Sequence, residues 1–326
     1  MHPAFSVIFL TTLIGVGQGL FLALFTAQSY ALFDLLPQQD GHSFYAHGVG
    51  IAMLFLGAGL VASFFHLGRP ERAWRSATRW RTSWLSREVI VLPAFMATAF
   101  LYGLSHLFDY KPVLLTLPSG IGIDASVVLG MVGTVLAFAL FLCTGMIYAC
   151  LRFLREWHSP LTVINYVLLG GASGFTLAAG FAAIAAPALT KFFAGWALII
   201  LMLAFVGRVA ALLRNCRLQQ KSTMQSALGV KHPKIEQKAQ GFMGGSFNTR
   251  EFFHGRTGTF LRGVKWLFLA AVFAVPAPLL VAGLSGAGAA VLVAAFIVQY
   301  LGLLAERWFF FAQASHPQNL YYRSVA

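Results

Sequence analysis

Charge is what this chain has least of. Only 10% of its 326 residues are Asp, Glu, Lys or Arg, and ten in all are acidic; soluble proteins carry about 25% charged residues. That scarcity excludes a solvated globular enzyme. Cysteine is scarce as well. Cys143, Cys150 and Cys216 are the whole complement, too few for a disulfide framework or for the four thiolates of an iron–sulfur cluster, and they read as packing thiols. From Met1 to Phe33 there is no charged side chain at all. The basic stretch that opens a secretion signal is therefore missing, and the segment reads as a first membrane helix that is retained.

What fills the sequence is apolar: 58% of residues are hydrophobic, with thirty-one Phe and seven Trp. A bilayer core about 30 Å thick takes roughly 20 such residues in a helix. Eight runs qualify, at Phe5–Phe33, Tyr45–Phe65, Val89–Leu107, Ala125–Cys150, Leu161–Ala186, Phe192–Val206, Trp266–Leu284 and Ala287–Ala305. The sixth is short and is expected to lengthen as Arg208 snorkels to the interface. Backbone groups in lipid must pair within their own segment, so the spans are helices. The expected fold is an all-α integral membrane protein, one membrane domain over residues 1–326 with eight transmembrane helices.

The few charges are not evenly placed. Of 23 Lys and Arg, all but Lys111 and Lys191 fall in gaps that alternate crossing would put on one side. The positive-inside rule makes that side cytoplasmic, with both termini there. The net charge of +13 is thereby accounted for without a nucleic-acid partner. One gap, residues 215–262, is long, polar and basic, and includes GGSFNTREFFHGRTG from Gly244 to Gly258. Long unstructured connections are commonly functional. This one reads either as a surface for lipid headgroups or as a docking loop for a cytoplasmic partner.

Ionisable groups at span ends are functional candidates. His66 closes the second span and Glu88 opens the third, so the turn between them sets both at one depth. An imidazole and a carboxyl group there can hydrogen-bond the two oxygens of a quinone and exchange its protons. The plainer alternative is an interfacial histidine beside a structural pair of Glu88 with Arg87 or Arg72. Gln18, between Gly17 and Gly19, suits either helix packing or ligand contact. Trp74 suits an interfacial belt or a stacking platform, and Arg72 a partner, a lipid phosphate or the ligand. Glu306–Arg307 near the end of the last span reads as an ion pair, with the wall of the same pocket as the alternative. Two rival functions leave different marks. A haem protein needs facing histidines, for which His47 and His106 are the available pair. A transporter needs polar groups near the midplane, where these spans have almost none.

The residues also carry a resemblance. His-Leu-Gly-x-Pro-x-Arg-Ala at His66–Ala73, Leu-Ser-x-Glu at Leu85–Glu88, Gln18, and Glu306–Arg307 resemble the membrane anchor subunits of the dimethyl sulfoxide reductase type, in the polysulfide-reductase-like membrane subunit family. The run HPAFSVIFLTTLIGVGQGL and the loop FNTREFFHG are most similar to the version that accompanies cytoplasmic sulfite-oxidising molybdoenzymes. The resemblance implies two four-helix bundles in a bacterial inner membrane. It implies a quinone, ubiquinone or menaquinone, bound at His66 and Glu88; Gln18, Trp74 and Arg72 are the further candidate contacts, and no haem or metal is expected in this protein. Its implied partners are a four-cluster iron–sulfur subunit and a molybdopterin catalytic subunit on the cytoplasmic side. Sulfite oxidation with quinone reduction is the first implied role; oxidation of menaquinol for a dimethyl sulfoxide reductase-like complex is the second.

Overall fold

The structure is a computed structural model, and it describes residues 1–116, 118, 120–219, 222–236, 254–317 and 319. Helices dominate because the apolar runs have no polar backbone alternative in lipid. In order along the sequence they are α1 (Phe5–Leu32), α2 (His47–Phe64), α3 (Trp84–Leu107), α4 (Ala125–Ala149), α5 (Pro160–Ala185), α6 (Thr190–Cys216), the short α7 (Met224–Leu228), α8 (Gly258–Leu269), α9 (Pro276–Leu284) and α10 (Ala289–Ala312). A π-helical turn, Gly41–Ala46, leads into α2, and another, Ala270–Ala274, joins α8 to α9. Eight stretches are long and apolar enough to cross a membrane, and α8 with α9 makes the seventh. Side chains such as Leu54, Val135 and Leu301 point outward, 73%, 68% and 59% exposed, as a lipid-facing surface requires.

Several spans run further than hydropathy suggests. The third begins at Trp84 because Ser83 caps it, its hydroxyl accepting from the Ser86 amide. The seventh begins at Gly258, where Thr257 caps it through the Phe260 amide. The sixth extends to Cys216, and the reason corrects the snorkelling expectation. Arg208 does not reach outward; it is buried, with Nε 2.7 Å from Glu306 Oε1 on α10.

Helices α1 to α4 are neighbours in a ring, α1 on α2, α2 on α3, α3 on α4 and α4 on α1. The later crossings make a second ring, with α5 on α6, α6 on α9, α9 and α8 on α10, and α10 on α5. The two rings meet where α1 crosses α5. Glycine makes that crossing close: a Cβ on Gly174 would lie 2.0 Å from the carbonyl carbon of Gly19, and one on Gly19 2.1 Å from the Gly170 oxygen. Backbone therefore touches backbone, the packing that small residues permit in membranes. At the end of the molecule that holds Lys111 and Lys191, a hairpin of β1 (Val113–Thr116) and β2 (Gly122–Asp124) links α3 to α4.

Part of the long basic gap, residues 220–221 and 237–253 with Phe247 to Phe253 among them, lies outside the described residues. Before it, α7 is held by a reciprocal cap between Thr223 and Ser226.

Candidate functional site

Where the two rings meet, near the arginine-rich end, a small cavity opens inside the protein. Five helices line it. Gln18 comes from α1, Glu88 from α3, Thr144 from α4, Tyr166 and Ser173 from α5, and Arg307 from α10; Leu10, Ile14, Phe141, Leu169 and Leu303 supply apolar wall. The cavity is small, with about 20 Å³ open to the centre of a water molecule. One ordered water needs roughly 10–15 Å³ on that measure.

Local sequence explains how these groups arrive. The Ser83 cap starts α3 early enough that Glu88 falls in its second turn and faces α4 rather than solvent. There the Thr144 hydroxyl donates a hydrogen bond to Glu88 Oε1. Gln18 lies one residue from the glycine crossing, so its side chain reaches across to donate from Nε2 to the Ala137 carbonyl at 2.8 Å. Gln18 is thus both a tie between helices and part of the cavity wall. Arg307 is held by aromatic faces, its guanidinium carbon 3.9 Å from the Tyr166 ring centre and 5.3 Å from that of Phe310, a favourable site for a desolvated cation.

The other candidates stand elsewhere. His66 follows the end of α2 and is exposed, and it is not among the cavity-lining residues. Partial desolvation of its ring still holds its pKa below the usual histidine value. Arg72 and Trp74 belong to the exposed 3₁₀ helix Pro70–Arg79. Arg72 Nε is 3.9 Å from Glu71 Oε1, and Trp74 is 66% exposed with Arg75 against its ring. Neither ion pair suggested for Glu88 forms: Arg87 donates instead to the carbonyls of Trp80 and Arg81 and covers the Trp84 ring. The structure therefore joins Glu88 to Gln18 and Arg307, and leaves His66, Arg72 and Trp74 on the surface. Thr144 and Tyr166 are cavity groups that sequence reading misses. Their periodicity is that of any packed helix, and only the fold shows which neighbour they face.

Glu306 has a nearer partner than Arg307. Arg208 lies 2.7 Å from its Oε1, whereas Arg307 Nη2 is 3.7 Å from its Oε2. Among the described residues, this carboxylate between two guanidinium groups, all three buried, is the densest cluster of charge inside the protein.

At the far end His106 stacks on Tyr45, ring centres 4.7 Å apart. His47 instead stacks on His42 and pairs with the Ser43 carbonyl. The two imidazoles weighed as a haem pair face different neighbours.

Comparison with known proteins shows the family. The sequence is 56% identical over its full length, and over the whole of the relative, to the C subunit of sulfite dehydrogenase from Allochromatium vinosum. It is 28% identical to the C component of anaerobic dimethyl sulfoxide reductase from Haemophilus influenzae over 147 residues, 44% of this sequence and 49% of that one. The model of the DMSO reductase anchor subunit (DmsC) family matches residues 1–237. On that match, and with the eight membrane-length helices of a membrane anchor, the chain belongs to the DMSO reductase anchor subunit (DmsC) family.

Proposed function

We propose that this anchor subunit binds a quinone in the Glu88 cavity and passes electrons between it and an iron–sulfur protein docked on the arginine-rich face. The observation that carries the reading is the cavity itself. It is apolar on most of its wall, as a lipid-soluble ring requires, and it gathers a carboxyl group, a hydroxyl, an amide and a guanidinium from five helices. Ligand sites are typically such apolar clefts with a few convergent polar groups. A quinone supplies two-electron, two-proton redox chemistry at paired carbonyl oxygens. Arg307 and Thr144 can donate hydrogen bonds to such oxygens, and Glu88 can hold or release a proton beside them. The space is tight, so admission of a ring requires the wall to yield. Exposed His66 is assigned to proton exchange on the partner-facing surface, with Arg72 and Trp74 as part of the docking ground.

The full-length likeness to a sulfite dehydrogenase subunit supports the sulfite reading, in which a cytoplasmic molybdopterin subunit oxidises sulfite and quinone is reduced here. The partial likeness to a dimethyl sulfoxide reductase component supports the reverse flow less strongly. The setting proposed is a bacterial inner membrane with both termini cytoplasmic. In the purified complex, Glu88→Gln should lower quinone-linked turnover by roughly a hundredfold, the scale of general acid–base catalysis. Activity of the soluble partners with an artificial dye should persist. Wild-type quinone kinetics in Glu88→Gln would refute the site.

A further inference from the structure

A second cavity lies against the first. It is lined by Glu156, Asn165, Ala211, Asn215, Glu306 and Gln313 among others, and it shares Tyr166 and Arg307 with the Glu88 cavity. Its floor is the Arg208–Glu306–Arg307 cluster. Its other end reaches half-exposed Glu156, in the connection before α5, and Asn215, near the end of α6. Both belong to the arginine-rich end of the molecule.

The polar atoms around it are more numerous than their partners. Asn165 Oδ1, Arg208 Nη2, Arg307 Nε and Gln313 Nε2 are buried without a hydrogen-bond partner among the described residues, and Glu306 Oε2 is met by Arg307 Nη2 at 3.7 Å. Buried polar groups left unsatisfied are costly, and such groups normally find water. The space open to water centres is about 10 Å³, close to what one molecule needs. Arg208 holds Glu306 by Oε1, and Oε2 has the longer contact, 3.7 Å to Arg307 Nη2. Tyr166 lines both cavities.

We infer that this second cavity is a hydrated proton route joining the Glu88 cavity to the arginine-rich face, with Glu306 and Tyr166 as its positioning groups. The inference rests on the quinone reading of the first cavity. In the direction of quinone reduction, two protons travel the route for each pair of electrons delivered by the docked iron–sulfur protein. They form the two O–H bonds of the quinol; the iron–sulfur protein is oxidised as the quinone is reduced. Toward the opposite end, Phe21, three residues beyond Gln18, packs its fully buried ring on that of Phe95, ring centres 5.3 Å apart. On this route protons and electrons enter from one face, and turnover builds no membrane potential.

The test uses the whole complex in liposomes and two variants that leave the first cavity's own residues alone. Ala211→Leu fills the route without changing charge, and Glu306→Gln keeps the size of the side chain but removes the carboxylate that can take up a proton. Binding of a fluorescent hydroxyquinoline N-oxide quinone analogue should stay close to wild type in both. Quinone-linked turnover should fall by roughly tenfold or more, within the range of lost acid–base assistance. The solvent deuterium isotope effect should rise as proton delivery becomes limiting. A folded Ala211→Leu complex with wild-type turnover and an unchanged isotope effect overturns the route, and so does a membrane potential generated by wild-type turnover. Should Glu306→Gln fail to fold, Ala211→Leu decides alone. If the analogue does not bind the wild type, or binds Glu88→Gln equally well, it is the quinone site that falls.

Discussion

Arg208 and Arg307 share one carboxylate, and that makes Glu306 the residue whose loss is worst. Charges withdrawn from water are costly unless paired, and removing one member of a buried pair commonly destabilises by about 3–5 kcal/mol. Arg208→Met leaves Glu306 with Arg307 still 3.7 Å away. Glu306→Leu strands two buried guanidinium groups at once, one of them relieved in part by the Tyr166 face. Thermal unfolding in detergent should therefore rank Glu306→Leu below Arg208→Met, and both below wild type. Equal losses would mean that the cluster is better hydrated than its burial indicates. At this scale the sequence is only partly legible. Glu306 and Arg307 stand out as charges in an apolar run, and adjacent letters suggest a pair. Yet adjacent helical residues point in different directions, so each finds partners on other helices. Arg208 reads as an interfacial side chain because hydropathy records depth along a helix and not which face meets a neighbour.

Among the elements, the α1–α5 crossing does the positioning, since Gln18 sits within it and Leu169, Gly170 and Ser173 of α5 line the cavity. Gly174→Leu would set a Cβ 2.0 Å from the Gly19 backbone, and no rotamer relieves a clash at Cβ. The helices must separate, at a cost of order 1–3 kcal/mol for overpacking, and analogue binding should weaken together with the melting temperature. Gly50 on α2 has nothing within 4 Å of a Cβ, so Gly50→Ala is the control and should leave both unchanged. If Gly174→Leu also bound and melted like wild type, the crossing would not be the frame of the site. The eight spans themselves are legible from composition, because lipid admits few alternatives. Their ends are less so. Ser83 and Thr257 extend α3 and α8 past the apolar runs through caps that hydropathy does not weigh. Glycine at positions 19, 170 and 174 marks small surface, but only the three-dimensional pairing shows that these glycines meet one another.

For the whole molecule, the proposed partners and proton route both require the arginine-rich end to face the cytoplasm. Alternate crossing places Cys150 and Cys216 at that end, at the C-termini of α4 and α6, and both are exposed, whereas Cys143 is buried in α4. The native thiols therefore report orientation without engineering. A membrane-impermeant maleimide should label Cys150 and Cys216 in inside-out vesicles and leave them unlabelled in intact cells, while Cys143 reacts in neither. The reverse pattern would put the basic connections outside, against the positive-inside tendency. It would place the Glu88 cavity and its charged antechamber on the far side from any cytoplasmic electron donor. The choice of face matters because the proposed electron transfer and proton supply both use this end of the fold. Glu88, Arg307, Glu306 and Glu156 lie in adjoining cavities there. A protein built this way can couple a soluble redox partner to a lipid-soluble carrier on one side of the bilayer, and labelling from that side is the measurement that decides it.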